Sequence, residues 1–213
     1  MNIVLFGKPG AGKGTQAPRL AQALGVPILA TGDVLRGAAQ AGTRLGLEAK
    51  AYMDRGALVP DDVILGLVRE TLADPRYADG VILDGVVRTV PQAEGMRDVM
   101  TSLGRQVDAV LHFDVTNDEI VRRLGSRLVC DRCQTPYMTG AVGDRCPKCG
   151  GTLVRRKDDE PDAIRHRLEV FERQTAPVFA WYATHDTHVV TVDATGPVEA
   201  VTARALRALG RPA

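Results

Sequence analysis

The segment Gly7-Lys8-Pro9-Gly10-Ala11-Gly12-Lys13-Gly14-Thr15 has the residue types and spacing of a phosphate cradle. Its glycines let successive backbone N–H groups turn toward one anion, the helix that follows adds the positive end of its dipole, and the lysine supplies a mobile positive charge. Gly10, Ala11, Gly12, Lys13, Gly14 and Thr15 are therefore expected to hold the phosphates of a nucleoside triphosphate, with Lys13 at the β and γ groups. Gly14 follows the lysine, so the hydroxyl beside a phosphate-bound Mg²⁺ would come from Thr15, one place later than in the general P-loop pattern.

A second set of chemically capable residues lies in the other half of the chain. All the cysteines fall in two C-x-x-C pairs, Cys130/Cys133 and Cys146/Cys149, with 12 residues between the pairs. Four thiolates favour tetrahedral Zn²⁺, with iron the less favoured occupant, and four protein ligands leave no open position for a substrate, so the metal is expected to be structural. The stretch around them, rich in Gly, Pro and charge, can bury little apolar surface, and metal binding can substitute for the missing core.

The elements that must position these groups follow from the apolar patterning. Short apolar runs bounded by glycine or polar residues predict buried parallel strands at Asn2 to Phe6, Gly80 to Leu83 and Val107 to Phe113, with Val26 to Ala30 and His188 to Val192 as further candidates. Helical patterns fall between them at Lys13 to Leu24, Asp61 to Leu72, Pro91 to Leu103 and Asp118 to Leu128. This alternation predicts a doubly wound α/β sheet with function at the carboxyl ends of its strands. Thr31 to Pro60 reads as helices without a strand, Leu128 to Arg156 as a small β-rich insertion, and Pro161 to Thr184 as a long helix with Ile164, Leu168 and Phe171 on one face.

Composition excludes more than it identifies. The 213 residues are 45% hydrophobic and 25% charged, enough for one substantial core. With 27 basic against 26 acidic residues the formal charge is +1, which gives no general electrostatic reason to expect a nucleic acid or a membrane surface as partner. No run approaches the roughly 20 apolar residues of a membrane span. The N-terminal run lacks the form of a signal peptide, and paired cysteines without an export signal read as metal ligands. A cytoplasmic setting is expected.

The motif G-x-P-G-x-G-K-G-T resembles that of the adenylate kinases. The resemblance continues in register through Thr31-Gly32-Asp33-Val34-Leu35-Arg36, Leu83-Asp84-Gly85, Arg88-Thr89-x-Pro91-Gln92 and Arg156-Lys157-Asp158-Asp159, spanning residues 1 to about 198. It implies a P-loop doubly wound parallel sheet with a helical monophosphate-binding insertion and a small zinc-ribbon-like β lid. The core would comprise 1–29, 60–126 and 161–213, the AMP-binding insertion 30–59, and the zinc-binding lid 127–160. The implied activity is reversible transfer of the terminal phosphoryl group of MgATP to AMP, giving two ADP, by a monomer. A related kinase with another nucleoside monophosphate as acceptor, or a nucleotide-binding module with a zinc ribbon and little turnover, are the alternatives.

Residue by residue, the resemblance assigns Thr31, Arg36, Ala57, Val59, Gly85, Arg88, Gln92, Arg156 and Arg167 to AMP, with Gln92 reading the adenine edge. It assigns Arg123, Arg127 and Tyr137 to ATP, beside the cradle. Lys13, Arg88, Arg123, Arg156 and Arg167 would act on the transferring group, Asp84 would organise Mg²⁺ through water, and Asp158 and Asp159 would orient the lid arginines. Arginines suit this work because the guanidinium fork donates two parallel hydrogen bonds to a phosphate.

Some positions depart from the family pattern. Where the family has Asp-Gly-Phe-Pro-Arg-Thr, this chain has Asp84-Gly85-Val86-Val87-Arg88-Thr89. If the family's Phe-Pro bond is cis, keeping that geometry at Val86-Val87 would cost about 2.5–4 kcal/mol, against about 0.5–1 before proline; a trans backbone is the alternative. The gap between the cysteine pairs is also several residues shorter than in the family, and Met138 stands where a histidine often follows the tyrosine.

Overall fold

The computed structural model describes residues 1–185 and 187–211. Its centre is a five-stranded parallel sheet of β1 (Asn2–Phe6), β2 (Ile28–Ala30), β3 (Val81–Asp84), β4 (Ala109–Asp114) and β8 (His188–Asp193), ordered β2-β3-β1-β4-β8. All of β1 is buried, its apolar run Ile3 to Phe6 as helices on both faces require and Asn2 with its amide donating to the Gln106 carbonyl. One cluster, including Val4, Phe6, Leu83, Met96 and Met100, packs on one face; another, including Ile3, Leu5, Leu20, Leu111 and Phe113, packs on the other.

Register sets the site. Leu5 lies beside Asp84, Asp84 beside Ala30, and Phe6 beside His112, so the turns that begin at Gly7, Thr31, Gly85 and Val115 leave the same edge of the sheet. The strand order reverses at β1, between β3 and β4, and such a switch point opens a crevice at the carboxyl ends.

Helix α1 (Lys13–Leu24) follows the first turn. The stretch without a strand folds as α2 (Thr31–Gln40) and α3 (Arg44–Asp54), and α4 (Asp61–Leu72) leads back to the sheet. Helices α5 (Val90–Ser102) and α6 (Asn117–Ser126) follow β3 and β4. Helix α6 stops before the expected Leu128 because Arg127 is extended (φ −68°, ψ 129°), and Leu128 begins β5 (Leu128–Cys130). This apolar strand pairs on both sides, with β6 (Pro136–Tyr137) and β7 (Leu153–Val154), in a three-stranded antiparallel lid sheet.

The expected long helix after Pro161 is interrupted. Helix α7 (Pro161–Val170) passes into a π turn at Phe171–Thr175 before α8 (Ala176–Ala183). Pro177, in the first turn of α8, has no N–H to give to the preceding turn, and the wider π turn accommodates it. Ile164 and Phe171 are buried and Leu168 packs at the edge of the core, as their spacing requires. The sequence reads as a helix end and a frayed terminus over Arg204 to Ala213; the chain closes with β8 and α9 (Val198–Ala208), followed by Leu209 to Arg211, and the rest of that stretch lies outside the described residues. No helix among the described residues is long and apolar enough to cross a membrane.

Candidate active site

The cradle wraps the start of α1. Gly10 (φ 82°) and Gly12 (φ 99°) adopt a left-handed conformation that disfavours side chains, and a Cβ at Gly10 would meet Leu124 at 2.8 Å. Among the other helix starts, threonine hydroxyls cap α3 (Thr43), α5 (Thr89) and α6 (Thr116), and acidic residues stand in the first turns of α2, α4, α7 and α9. Helix α1 has no side-chain cap and no acidic residue in its first turn. The N–H groups of Gly12, Lys13 and Gly14 have no acceptor among the described residues. A helix start left this way is a site for an anion.

Lys13 reaches back into the cradle, its Nζ donating to the carbonyls of Gly7 (2.6 Å) and Lys8 (3.0 Å). Burial pushes its ammonium down to about 8, Asp84 opposes the shift, and Arg88, Arg167 and Arg127 add to it. The unfolded chain therefore binds more protons than the folded one between about pH 8 and the ordinary lysine value, and stability of the ligand-free chain rises with pH across that window. A polyphosphate bound beside the ammonium would reverse the shift. Titration of ATP at pH 9 in two buffers of different ionisation enthalpy is expected to show uptake of part of a proton per ATP bound, and Lys13→Met is expected to abolish it. Equal apparent enthalpies in the two buffers would remove Lys13 from the phosphate site.

Asp84 ends β3 with its Oδ2 3.6 Å from where a Cβ would stand on Gly14. Burial pushes its carboxyl above the ordinary range, opposed first by Lys13 and then by Arg88. Among the described residues it makes no hydrogen bond or ion pair, and neither does the hydroxyl of Thr15. Free oxygens at the carboxyl end of the strand, next to the cradle, fit a hydrated Mg²⁺.

Guanidinium groups line the rest of the cleft. Arg127 makes a bidentate pair with Asp159, at 2.7 and 2.6 Å, and Arg167 donates to the Asp158 carbonyl at 2.8 Å and to Asp159 Oδ1 at 3.1 Å. Asp159 is buried in the 3₁₀ turn Lys157–Asp159, so the acidic run is a holder of arginines and not a solvated surface. Burial alone would raise the Asp158 carboxyl, but Arg167, Arg156 and Arg127 together hold it below the ordinary range. Arg36 pairs with Asp33, and Arg88 donates from Nε to the Gly85 carbonyl at 2.9 Å. The Nε atoms of Arg36 and Arg156 are buried without a partner. Burial, with Arg36 and Arg127 nearby, pushes Arg156 down to about 10. Guanidinium groups gathered in one cleft, two of them with a buried Nε left unbonded, fit the seat of an anion.

Arg123 approaches the cradle from α6. It donates to Glu119 at 2.7 Å, to the Ala194 carbonyl at 2.9 Å and, weakly at 3.5 Å, to the Ala11 carbonyl. Bonds from Arg122 and Arg123 hold Glu119 down at about 2.

Thr31, Ala57, Val59, Gly85, Arg88 and Gln92 line one pocket, with Gly32, Leu35, Met53, Leu58, Ile64 and Val86 between them. The Gly85 carbonyl already accepts from the Thr31 hydroxyl (2.9 Å) and from Arg88. No cis peptide bond occurs among the described residues, so the trans alternative holds at Val86-Val87, both buried. Arg167 crosses above Gly56, where a Cβ would meet its Cγ at 2.8 Å, and Gln40 Nε2 donates to the Asp131 carbonyl at 3.1 Å, joining the helical insertion to the lid.

The lid cysteines converge, all four Sγ atoms lying within 4.8 Å of one another. Cys130 and Cys149 are 3.4 Å apart and Cys133 and Cys146 3.7 Å, near the edge of about 3.8 Å that Zn–S bonds of about 2.3 Å give a tetrahedron. Each pair ends in a left-handed residue, Gln134 (φ 57°) or Gly150 (φ 74°), whose N–H donates to the carbonyl of the pair's first cysteine, and backbone N–H groups of Arg132 and Cys133 point at Cys130 Sγ. The residues fit a tetrahedral thiolate-bound ion.

Two residues lie apart from a simple reading. Tyr137, assigned to ATP by resemblance, has its hydroxyl 3.1 Å from Cys146 Sγ and packs with the cysteine cluster, which leaves only its ring for a nucleotide. Asp61, which the sequence reading passed over as the start of a helix, accepts from both Thr89 Oγ1 (3.1 Å) and Gln92 Nε2 (2.7 Å). Acidic residues in a first turn, as Asp118 and Glu119 also stand on α6, are accounted for by the helix dipole and carry no signal of this task.

The arrangement sets an uncapped glycine-rich helix start, a pocket between α2 and α5, and a group of arginines at one edge of the sheet. Comparison with known proteins agrees with that geometry. A model of the adenylate kinase family matches residues 5–187. Relatives named adenylate kinase include one from Gemmatimonas aurantiaca, 58% identical over 211 residues that cover 98% of this chain and 99% of the relative. Another from Salinispora tropica is 44% identical, covering 98% of each chain, and one from Methanocella arvoryzae is 42% identical, covering 95% of each. A P-loop sheet, an arginine-lined cleft and a four-cysteine lid in one chain, with similarity over its whole length, thus have one common explanation: the chain belongs to the adenylate kinase family.

Proposed function

We propose that this chain transfers the terminal phosphoryl group of MgATP reversibly to AMP, giving two ADP. The observation that carries this is the pair of buried guanidinium nitrogens without a hydrogen-bond partner, Arg36 Nε and Arg156 Nε, in the arginine group near Asp84 and Asp158. A cleft that binds one triphosphate does not need them; two phosphate chains meeting end to end do.

In this reading Gly10 to Thr15 hold the ATP phosphates and Lys13 leaves its carbonyl partners for the β and γ groups. Arg36 and Arg88 hold the acceptor phosphate, while Arg156 and Arg167 meet charge on the transferring group. Arg123 and Arg127 flank ATP. Thr15 directly and Asp84 through water would hold Mg²⁺, which supplies neutralisation of phosphate charge. The acceptor oxygen is already anionic, so no protein base is required, and catalysis reduces to in-line placement and charge stabilisation. Residues 30–59 and 127–160 would act as movable covers on a core of 1–29, 60–126 and 161–213, excluding water that would otherwise take the phosphoryl group. The lid would hold one structural Zn²⁺, and the active unit would be a cytoplasmic monomer.

A coupled assay tests the proposal. ADP is expected from ATP plus AMP, with little ATP consumed when AMP is absent and slower transfer to GMP, CMP and UMP. Binding of ATP without turnover would make the chain a nucleotide-responsive module instead, and a faster rate with another monophosphate would reassign the acceptor.

A further inference from the structure

We propose that Asp61 is a positioning residue that fixes the polarity of the Gln92 amide and thereby sets the choice of adenine over 6-oxopurines at the acceptor pocket. This rests on the reading of that pocket as the AMP site and goes one step beyond it, to what orients the residue that reads the base.

A glutamine amide can present its oxygen and nitrogen either way round, and its bonding partners decide which. Gln92 is buried, and both ends of its amide are held by groups of fixed character. Oε1 accepts from the Arg88 backbone N–H at 2.7 Å, a group that can only donate. Nε2 donates to the Asp61 carboxylate at 2.7 Å, a group that can only accept. Turning the amide over would set donor against donor at Arg88 and acceptor against acceptor at Asp61. The orientation therefore follows from chemistry.

The same oxygen of Asp61 accepts from the Thr89 hydroxyl at 3.1 Å, and that hydroxyl accepts from the Gln92 backbone N–H at 3.1 Å. Asp61, Thr89 and Gln92 thus form a closed ring of bonds that holds the side chain relative to the start of its own helix. Asp62 is exposed and serves the helix-start charge of α4, whereas Asp61 is half-buried and turned inward.

One N–H on Nε2 and one lone pair on Oε1 remain for a base in the pocket that Gln92 lines. Adenine offers a donor at N6 and an acceptor at N1, a complement to that pair. Guanine and hypoxanthine offer an acceptor at O6 and a donor at N1, which would match only the overturned amide. A site whose polar groups are held in one sense rejects the reversed pattern because its buried groups are then left unpaired.

Initial rates with AMP, GMP and IMP, at saturating ATP, for the full-length wild type, Asp61→Asn and Asp61→Leu test this. Asn retains an acceptor oxygen but not the charge, whereas Leu retains neither. The expected result is that Asp61→Leu lowers the ratio of kcat/KM for AMP to that for GMP and IMP by on the order of 10- to 100-fold, mainly through KM for AMP, with KM for ATP unchanged. Asp61→Asn should keep the ratio within about threefold of wild type. If Asp61→Leu does not fold, Asp61→Ser, too short to reach Nε2, replaces it with the same expectation. An unchanged ratio in the Leu or Ser variant, or an equal loss in Asp61→Asn, which would mark a charge role at the helix start, overturns the proposal. A wild type that prefers GMP or IMP overturns the acceptor reading itself, and that arm is independent of any Asp61 variant.

Discussion

Lys13→Ala and Arg88→Ala are each expected to lower the rate with ATP and AMP by about three to five orders of magnitude, the range removed with a charge-stabilising group in phosphoryl transfer, with little change in thermal stability. The two halves of that expectation have separate causes. Lys13 spends its ligand-free bonds on two cradle carbonyls, and burial works against its charge, so its removal takes away little that the fold needs. Arg88 faces the open cleft and bonds to a single carbonyl that Thr31 also serves. In the reacting complex the same groups would meet phosphate charge that has no other partner. The Lys13 variant should lose chiefly kcat, and the Arg88 variant kcat together with affinity for the acceptor. Rates within tenfold of wild type for either would remove that residue from the transfer step.

Metal removal is expected to have the second largest effect, and a local one. The lid core consists of Leu128, Cys130, Cys146 and Leu153, with Tyr137 and the other cysteines at its edge. Burial of a few such side chains contributes about 1.5–3 kcal/mol each before entropy is counted, whereas structural zinc sites contribute an apparent 10–16 kcal/mol or so. Chelation, or Cys146→Ser, should therefore unfold the lid while the parallel sheet persists. Limited proteolysis should cut between residues 131 and 150, far-UV circular dichroism should change little, and phosphoryl transfer to AMP should fall with the lost metal and return on adding Zn²⁺. A metal-free lid that stays resistant to protease would show that the cysteines pack without an ion.

Much of the fold was legible because glycine and proline punctuate it. Lys13–Leu24 and Asp61–Leu72 match their expected limits, each preceded by a residue that starts a helix abruptly. Where punctuation is absent, reading failed: apolar Leu128 suits a helix end as well as a strand, and only pairing with β6 and β7 decides it. Pro177 was visible, but whether a helix breaks, kinks or widens there depends on packing around Phe171 and Phe179. The cradle and the cysteines were legible because their chemistry sits in contiguous residues. The arginines were not legible as a cluster from spacing alone; 79 positions separate Arg88 from Arg167, and family resemblance supplied the register. The engagement of Gln92 with Asp61 and of Tyr137 with Cys146 could not be read at all, since polar side chains take partners that only the folded chain supplies.

The bidentate pair of Arg127 and Asp159 has a mechanical consequence. Arg127 ends the segment that leaves the core for the lid, and Asp159 stands where the chain comes back, so one pair of bonds clasps both crossings together. Beyond the clasp the lid also meets the rest of the chain where Arg155 donates to the Gly125 carbonyl, Gln40 to the Asp131 carbonyl and Arg167 to the Asp158 carbonyl. The stretch between Cys133 and Cys146 makes its hydrogen bonds within the lid, so its length can change without touching the parallel sheet. A lineage can therefore rebuild the tip, its metal ligands included, as a graftable module while the pivot and the arginines beside it stay fixed.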